Sequence, residues 1–187
     1  RVHFAEEAPY LLRLLGISGV PLKPRLFISE EAEAAAAGIL ADAGFTGKDL
    51  IVSIHPGGVY SSKRWAPDRF AEVAARLIRD YGAKLLFIGS EDERALVDGI
   101  CASLPGPGNV LKAVNLRPDI LCALLRRSRL FIGNNSGPLH MAAAFGVPGV
   151  STMGPADPVK WPPLGPDQVV LRSDLKCSPC NKGVCKG

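Results

Sequence analysis

The sequence predicts an α/β fold, a Rossmann-like parallel sheet flanked by helices. Three observations carry that expectation. Short, continuous apolar runs recur along the chain, as strands buried on both faces require. Helical patterns separate them, and strict alternation of strand and helix specifies parallel strands joined by crossover helices. Gly-rich or small-polar stretches follow the first and fourth runs, where such a sheet opens to ligands.

The expected strands are LIVSI (50–54), KLLFIG (84–89), NVLKAV (109–114), RLFIG (129–133), GVSTM (149–153) and VVL (169–171). Expected helices cover 67–81, 92–104, 118–128 and 138–145, with start signals such as Pro67 followed by Asp68, or Ser136 ahead of Pro138. Upstream, EEAPYLLRLLGI and SEEAEAAAAGILADAG read as two helices joined by an extended, proline-containing connector, SGVPLKPRLFIS. Ser29 is a plausible N-cap for the second, with Glu30 and Glu31 in its first turn. The expected organisation is a helical lead-in and connector over 1–47, a Rossmann-like domain over 48–173, and a Cys-containing tail over 174–187.

With 187 residues, 47% of them hydrophobic, the chain can bury one substantial core. A net charge of +4 without any basic block argues against nucleic acid as a partner. No apolar run approaches the roughly 20 residues of a membrane span, and no leader pattern opens the chain, so the expectation is a cytoplasmic protein without a membrane span. A start at Arg1 and a cysteine-rich end suggest a piece of something longer. Cys101 and Cys122 fall in helical patterns as small buried residues. Cys177, Cys180 and Cys185 offer three ligands where a closed zinc site takes four, so no metal is expected, with a site on those three as the weaker alternative.

Two loops carry the candidate chemistry. After the first strand, HPGGVYSSKRWAPDRF places Gly57 and Gly58 where backbone could approach a ligand, with Ser61 and Lys63 behind them. Lys63 reads either as a phosphate cation or, with Arg64, as a solvated pair, and Trp65 reads as packed beneath the loop in preference to stacked on a base. After the fourth strand, IGNNSGPLHMAAAFGVP supplies Asn135, Ser136, Gly137, Pro138 and His140. A helix starting there presents outward-pointing amides, a ready anion site, while Pro138 sits where an N–H is dispensable. His140 in that first turn is expected to be neutral, facing the anion or packing locally. Glu93 suits a ribose hydroxyl or a helix's first turn, with Glu91 and Asp92 as competitors. The motifs of P-loop NTPases, nicotinamide sites, zinc proteases and serine hydrolases are absent, and Ser136 with His140 lacks an acidic partner.

Taken with LLFIGSEDERALVDGI, LFIGNNSGPLHMAAAFGVPGVSTMGPADPVKWPP and CSPCNKGVC, these segments make the chain resemble, nearly end to end, the C-terminal half of a glycosyltransferase of family 9, the bacterial heptosyltransferases. The resemblance implies the donor-binding half of a two-domain GT-B fold. It also implies an inverting, metal-independent transfer of heptose from ADP-heptose to the lipopolysaccharide inner core. The lysine matching Lys63 and the turn matching Ser136, Gly137 and His140 would face the donor diphosphate, and the acid matching Glu93 the nucleoside. No catalytic residue is expected in this chain, because the general base comes from the N-terminal half. That half would also meet the lipid-linked saccharide acceptor, at the inner face of the bacterial inner membrane. The ADP-sugar is then a donor substrate and no cofactor is implied. Asn135 departs from the family's usual Asp. The alternatives are an epimerase-like enzyme of the GT-B scaffold acting on nucleotide sugars and a phospho-ligand binding module. The donor reading requires the Lys63 loop and the Ser136–His140 corner to converge in one pocket.

Overall fold

The computed structural model describes residues 2–20 and 22–185; Arg1 and Pro21 of the expected lead-in and the last two residues of the expected tail lie outside the described residues. Six strands form where the apolar runs place them: β1 (Ile51–His55), β2 (Lys84–Gly89), β3 (Val110–Val114), β4 (Leu130–Asn134), β5 (Gly149–Thr152) and β6 (Gln168–Leu171). They make one sheet in the order β3-β2-β1-β4-β5-β6, with every neighbouring pair parallel. The chain moves outward from β1 through β3, then returns to β1's other side with β4. The order therefore reverses between β1 and β4, and a crevice opens at the carboxyl ends of those strands.

Alternate residues of β2 feed two different cores, because successive side chains of a strand point to opposite faces. Leu86 and Ile88 join Leu124, Phe131 and Leu139 on one face, whereas Leu85 and Phe87 join Phe70, Ala74 and Val97 on the other. The second face is covered by α3 (Pro67–Tyr81) and α4 (Arg94–Ala102), and the first by α2 (Glu30–Asp42), α5 (Pro118–Arg126) and α6 (Gly137–Ala144). Proline stands in the first two positions of α3, α5 and α6, where its missing N–H costs no helical bond. α3 stops at Gly82, whose φ of +61° suits glycine. α4 begins later than the sequence pattern implies, because Glu91–Glu93 forms a 3-10 turn in which the Glu93 carboxylate folds back onto the Ser90 amide.

The expected boundary at 47/48 is corrected by packing. Ala32, Ala36 and Leu40 of α2 are buried in the core, with α2 lying against α5, so the helix is part of the domain. An alanine-rich face allows that close approach, and Ser29 caps the helix through the Ala32 amide. Only the first segment stays peripheral. There α1 (Glu7–Leu14) leaves Tyr10, Leu11 and Leu14 exposed. The chain ahead of it is held by Phe4 stacking on Trp161 at 4.7 Å between ring centres and by His3 Nε2 at 2.9 Å from the Pro162 carbonyl. No helix among the described residues is long and apolar enough to cross a membrane.

Ala36 is fully buried between α2 and α5. Ala36→Leu should overpack that contact and lower the unfolding free energy of the whole domain by about 1–3 kcal/mol in chemical denaturation. A neutral substitution would show that α2 is dispensable to the core.

Candidate functional site

β1 and β4 end side by side, with His55 opposite Gly133 in the register. A side chain at 133 would bring a Cβ within 2.8 Å of the His55 carbonyl, so glycine is required for the strands to close there. The next residue, Asn134, is wholly buried and has every hydrogen-bonding position of its amide filled. Its Nδ2 donates to the carbonyls of Pro56 and Gly57 at 2.8 and 2.9 Å. Its Oδ1 accepts from the Trp65 amide at 2.9 Å and the Thr152 hydroxyl at 2.7 Å. One side chain thus pins both ends of the Gly57–Trp65 loop to the carboxyl ends of β4 and β5.

His55 is the second buried polar residue at this junction, 5% exposed. Its Nε2–H donates to Glu93 Oε2 at 3.2 Å, and its Nδ1 is hydrogen bonded to the Ser136 hydroxyl at 2.9 Å. Glu93 also accepts from the Gly58 amide at 2.6 Å and the Ser90 amide at 2.9 Å. The His55 hydrogen bond, with those two amides, outweighs burial and holds the Glu93 carboxyl well below its usual range, at about 2. Gly57 makes room for it: a Cβ there would lie 2.0 Å from Glu93 Oε1. The glycine expected to let backbone approach a ligand therefore first lets a carboxylate approach the backbone. Of the two places expected for Glu93, a ribose hydroxyl or a helix's first turn, the structure has the second, with the carboxylate turned inward onto protein donors, while its competitors Glu91 and Asp92 stay exposed.

Across the crevice, α6 opens with Ser136 at its N-cap, and the Ser136 side chain makes no cap hydrogen bond because it is committed to His55 and the Asn134 carbonyl. The first-turn amides of Gly137 and Leu139 precede the helix's own hydrogen-bond ladder, and Pro138 has none to offer. With Gly137 exposed, this turn is open to an anion. Ser61–Lys63 forms a 3-10 turn on the other wall, with Ser61 exposed and Lys63 half-buried. Lys63 Nζ lies 5.5 Å from the centre of the Tyr60 ring and makes no ion pair among the described residues. Arg64 is committed instead, donating from Nε to the Gly58 carbonyl at 2.7 Å.

The two loops share one edge of the sheet, yet Lys63 and His140 line different cavities. Lys63 borders one of about 440 Å³ with Trp65, Ile132, Val150 and Leu171, on the α3 side of the sheet. His140 borders one of about 290 Å³ with His3, Phe4, Lys160 and Trp161. Burial, and then the charge of nearby His3, pushes the His140 ring below its ordinary pKa, which keeps it neutral. The two side chains therefore do not share one cavity, because the His140 ring is drawn into the aromatic cavity closed by the N-terminal segment. Trp65 meets Phe70 edge-on at 5.2 Å, packed as expected.

Asn135 donates from Nδ2 to the Trp161 carbonyl at 2.7 Å, a role an aspartate cannot fill. Burial is high for Cys122 and partial for Cys101, whose thiol it pushes up to about 11. Cys177, Cys180 and Cys185 are exposed, and no cluster able to hold a metal ion occurs among the described residues. Their segment folds back on the site loop, where the Ser62 hydroxyl donates to the Lys182 carbonyl at 2.8 Å. The sequence reading did not single out His55 and Asn134. Their available signal was position: a polar residue closing each of two otherwise apolar strands.

Three outcomes test this geometry. Gly57→Ala should displace the Glu93 carboxylate and lower stability by about 1–3 kcal/mol, the cost of stranding buried hydrogen-bonding groups. Asn135→Asp, which sets a carboxylate against the Trp161 carbonyl, should cost a similar amount at neutral pH. Because the folded-state pKa of Glu93 is depressed, its contribution is complete above about pH 4.5 and lost as pH falls toward 2. Glu93→Gln should remove that part of the acid dependence, about 2 kcal/mol, in urea titrations across the window.

A family model described as glycosyltransferase family 9 (heptosyltransferase) matches residues 4–187. Lipopolysaccharide heptosyltransferase 1 of Pseudomonas aeruginosa is 32% identical over 146 residues, covering 78% of this chain and 40% of that protein. The crystal structure of a family 9 glycosyl transferase from Veillonella parvula superposes with a TM-score of 0.85 at 28% identity, over 91% of this chain and 49% of that one. The E. coli heptosyltransferase WaaC with ADP shares the fold, with a TM-score of 0.62 at 19% identity over 75% of this chain and 42% of that chain. The chain spans less than half the length of the curated relatives it matches first. A parallel sheet with this switch-point site, together with a family match over nearly its whole length, establishes that the chain belongs to glycosyltransferase family 9, the heptosyltransferases.

Proposed function

We propose that this chain is the donor-binding half of a heptosyltransferase. It holds the ADP portion of ADP-heptose while the sugar passes, with inversion, to the lipopolysaccharide inner core. The observation that carries the reading is the uncapped N-terminal turn of α6, linked through Ser136, His55 and Glu93 to the Gly57–Gly58 turn at the β1/β4 switch point. A fold relative, WaaC, has been solved with ADP. In this reading the ADP-sugar is a substrate, and no separate cofactor takes part.

The transfer makes a bond from an acceptor hydroxyl oxygen to the anomeric carbon, on the face opposite ADP. The bond from that carbon to the β-phosphate oxygen breaks, its electron pair stays on ADP, and the acceptor's proton leaves to a base. Negative charge therefore grows on the departing phosphate. The Gly137 and Leu139 amides and the Lys63 ammonium are the groups that meet it, and they stabilise the transition state more than the ground state. The base and the acceptor site are assigned to chain outside these 187 residues.

Lys63→Ala should weaken ADP binding about 10- to 100-fold, the worth of one charge-assisted hydrogen bond. Isothermal titration reads this directly, and an unchanged affinity would remove Lys63 from the site.

A further inference from the structure

We propose that His55 is the positioning residue of the donor site: one buried imidazole ties the turn that opens α6 to the Gly57–Gly58 turn, and so sets the spacing of the amides around the diphosphate. The inference rests on the donor-site reading above. Its basis is a chain of four groups from three separate parts of the sequence. The Ser136 hydroxyl lies 2.9 Å from His55 Nδ1, His55 Nε2 lies 3.2 Å from Glu93, and Glu93 lies 2.6 Å from the Gly58 amide. Register pairing between β1 and β4 stops at His55 and Gly133, and the β4–β5 ladder carries on only as far as Asn134 and the Asn135 amide, so the sheet does not tie the two turns to each other. The Asn134 side chain anchors the carbonyls of Pro56 and Gly57, and its backbone carbonyl accepts from the Ser136 hydroxyl at 3.1 Å, but neither reaches the Gly58 amide. The imidazole and the carboxylate behind it link the Ser136 hydroxyl to the Gly58 amide side chain by side chain.

Histidine suits the task because its two ring nitrogens bond in different directions from one rigid plane. Asparagine can reproduce the reach of Nδ1 and glutamine that of Nε2, but neither reproduces both. His55 does not touch the reacting atoms in this arrangement. Its effect on the donor is exerted through Ser136 on one side and through Glu93 and Gly58 on the other. Removing it leaves Glu93 without its largest stabilising partner and frees the α6 turn to drift. Misplacement of a catalytic environment by about 1 Å can cost a hundredfold.

The test uses the whole chain in four forms: wild type, His55→Ala, His55→Asn and His55→Gln. Hydrogen exchange at the Gly58 amide, measured without nucleotide, should be about tenfold faster in His55→Ala and His55→Asn, and restored toward wild type in His55→Gln, which keeps the reach to Glu93. ADP affinity should fall about 10- to 100-fold in His55→Ala and recover partly in each of the other two. A folded His55→Ala with wild-type Gly58 exchange and ADP affinity within about twofold of wild type overturns the proposal. If His55→Ala does not fold, wild-type behaviour of both amide variants overturns it instead. Failure of the wild type itself to bind ADP would overturn the donor-site reading, and the nucleotide-free exchange pattern would then decide separately whether His55 couples the two turns.

Discussion

The site depends on one buried side chain, Asn134, whose amide is satisfied at every position where β4 ends. An unpaired amide in this interior would cost a few kcal/mol, and here each of its donors and acceptors is spent on a different piece of backbone or on Thr152. The Gly57–Trp65 loop is therefore not free to choose its path. It is fastened near its start and at its end, and the turn between is met by the C-terminal segment, whose Lys182 carbonyl accepts from Ser62. The parallel sheet supplies the location, because its order reverses beside β1, and Asn134 turns that location into a fixed shape.

Electrostatics follow from the same junction. The proposed diphosphate site needs positive potential, yet a carboxylate sits beside it. Glu93 is tolerated because its charge is spent inward, on His55 and on the Gly58 and Ser90 amides. The outward field then comes from the α6 N-terminus and from Lys63, which has no anionic partner among the described residues to compete for it. The aromatic cavity around Phe4, Trp161 and neutral His140 forms a separate, less polar compartment on the other side of α6.

Much of this architecture was legible in the chain. Strands buried on both faces must be continuous apolar runs, so β1 through β6 announce themselves, and Pro67, Pro118 and Pro138 mark helix starts for steric reasons. The Ser136–Gly137–Pro138 corner was legible for the same reason. The polar network was not, because its members lie far apart in sequence and their partners are mostly backbone groups, which composition does not reveal. Glu93 shows the limit: its place after β2 was readable, but the direction of its carboxylate depends on an absent side chain at Gly57. The role of α2 was missed because an alanine-rich helix carries a weak amphipathic signal, although its small residues are what let it pack against α5.

The Gly57 and Glu93 pair has one further consequence. The space a methyl group would need at position 57 is already occupied by the carboxylate of position 93. Position 57 therefore cannot gain a side chain while that carboxylate keeps its place. A lineage that gains a side chain at the first position must shorten or lose the acid at the second, and with it the partner that holds the imidazole. A protein engineer enlarging position 57 would have to redesign position 93 with it.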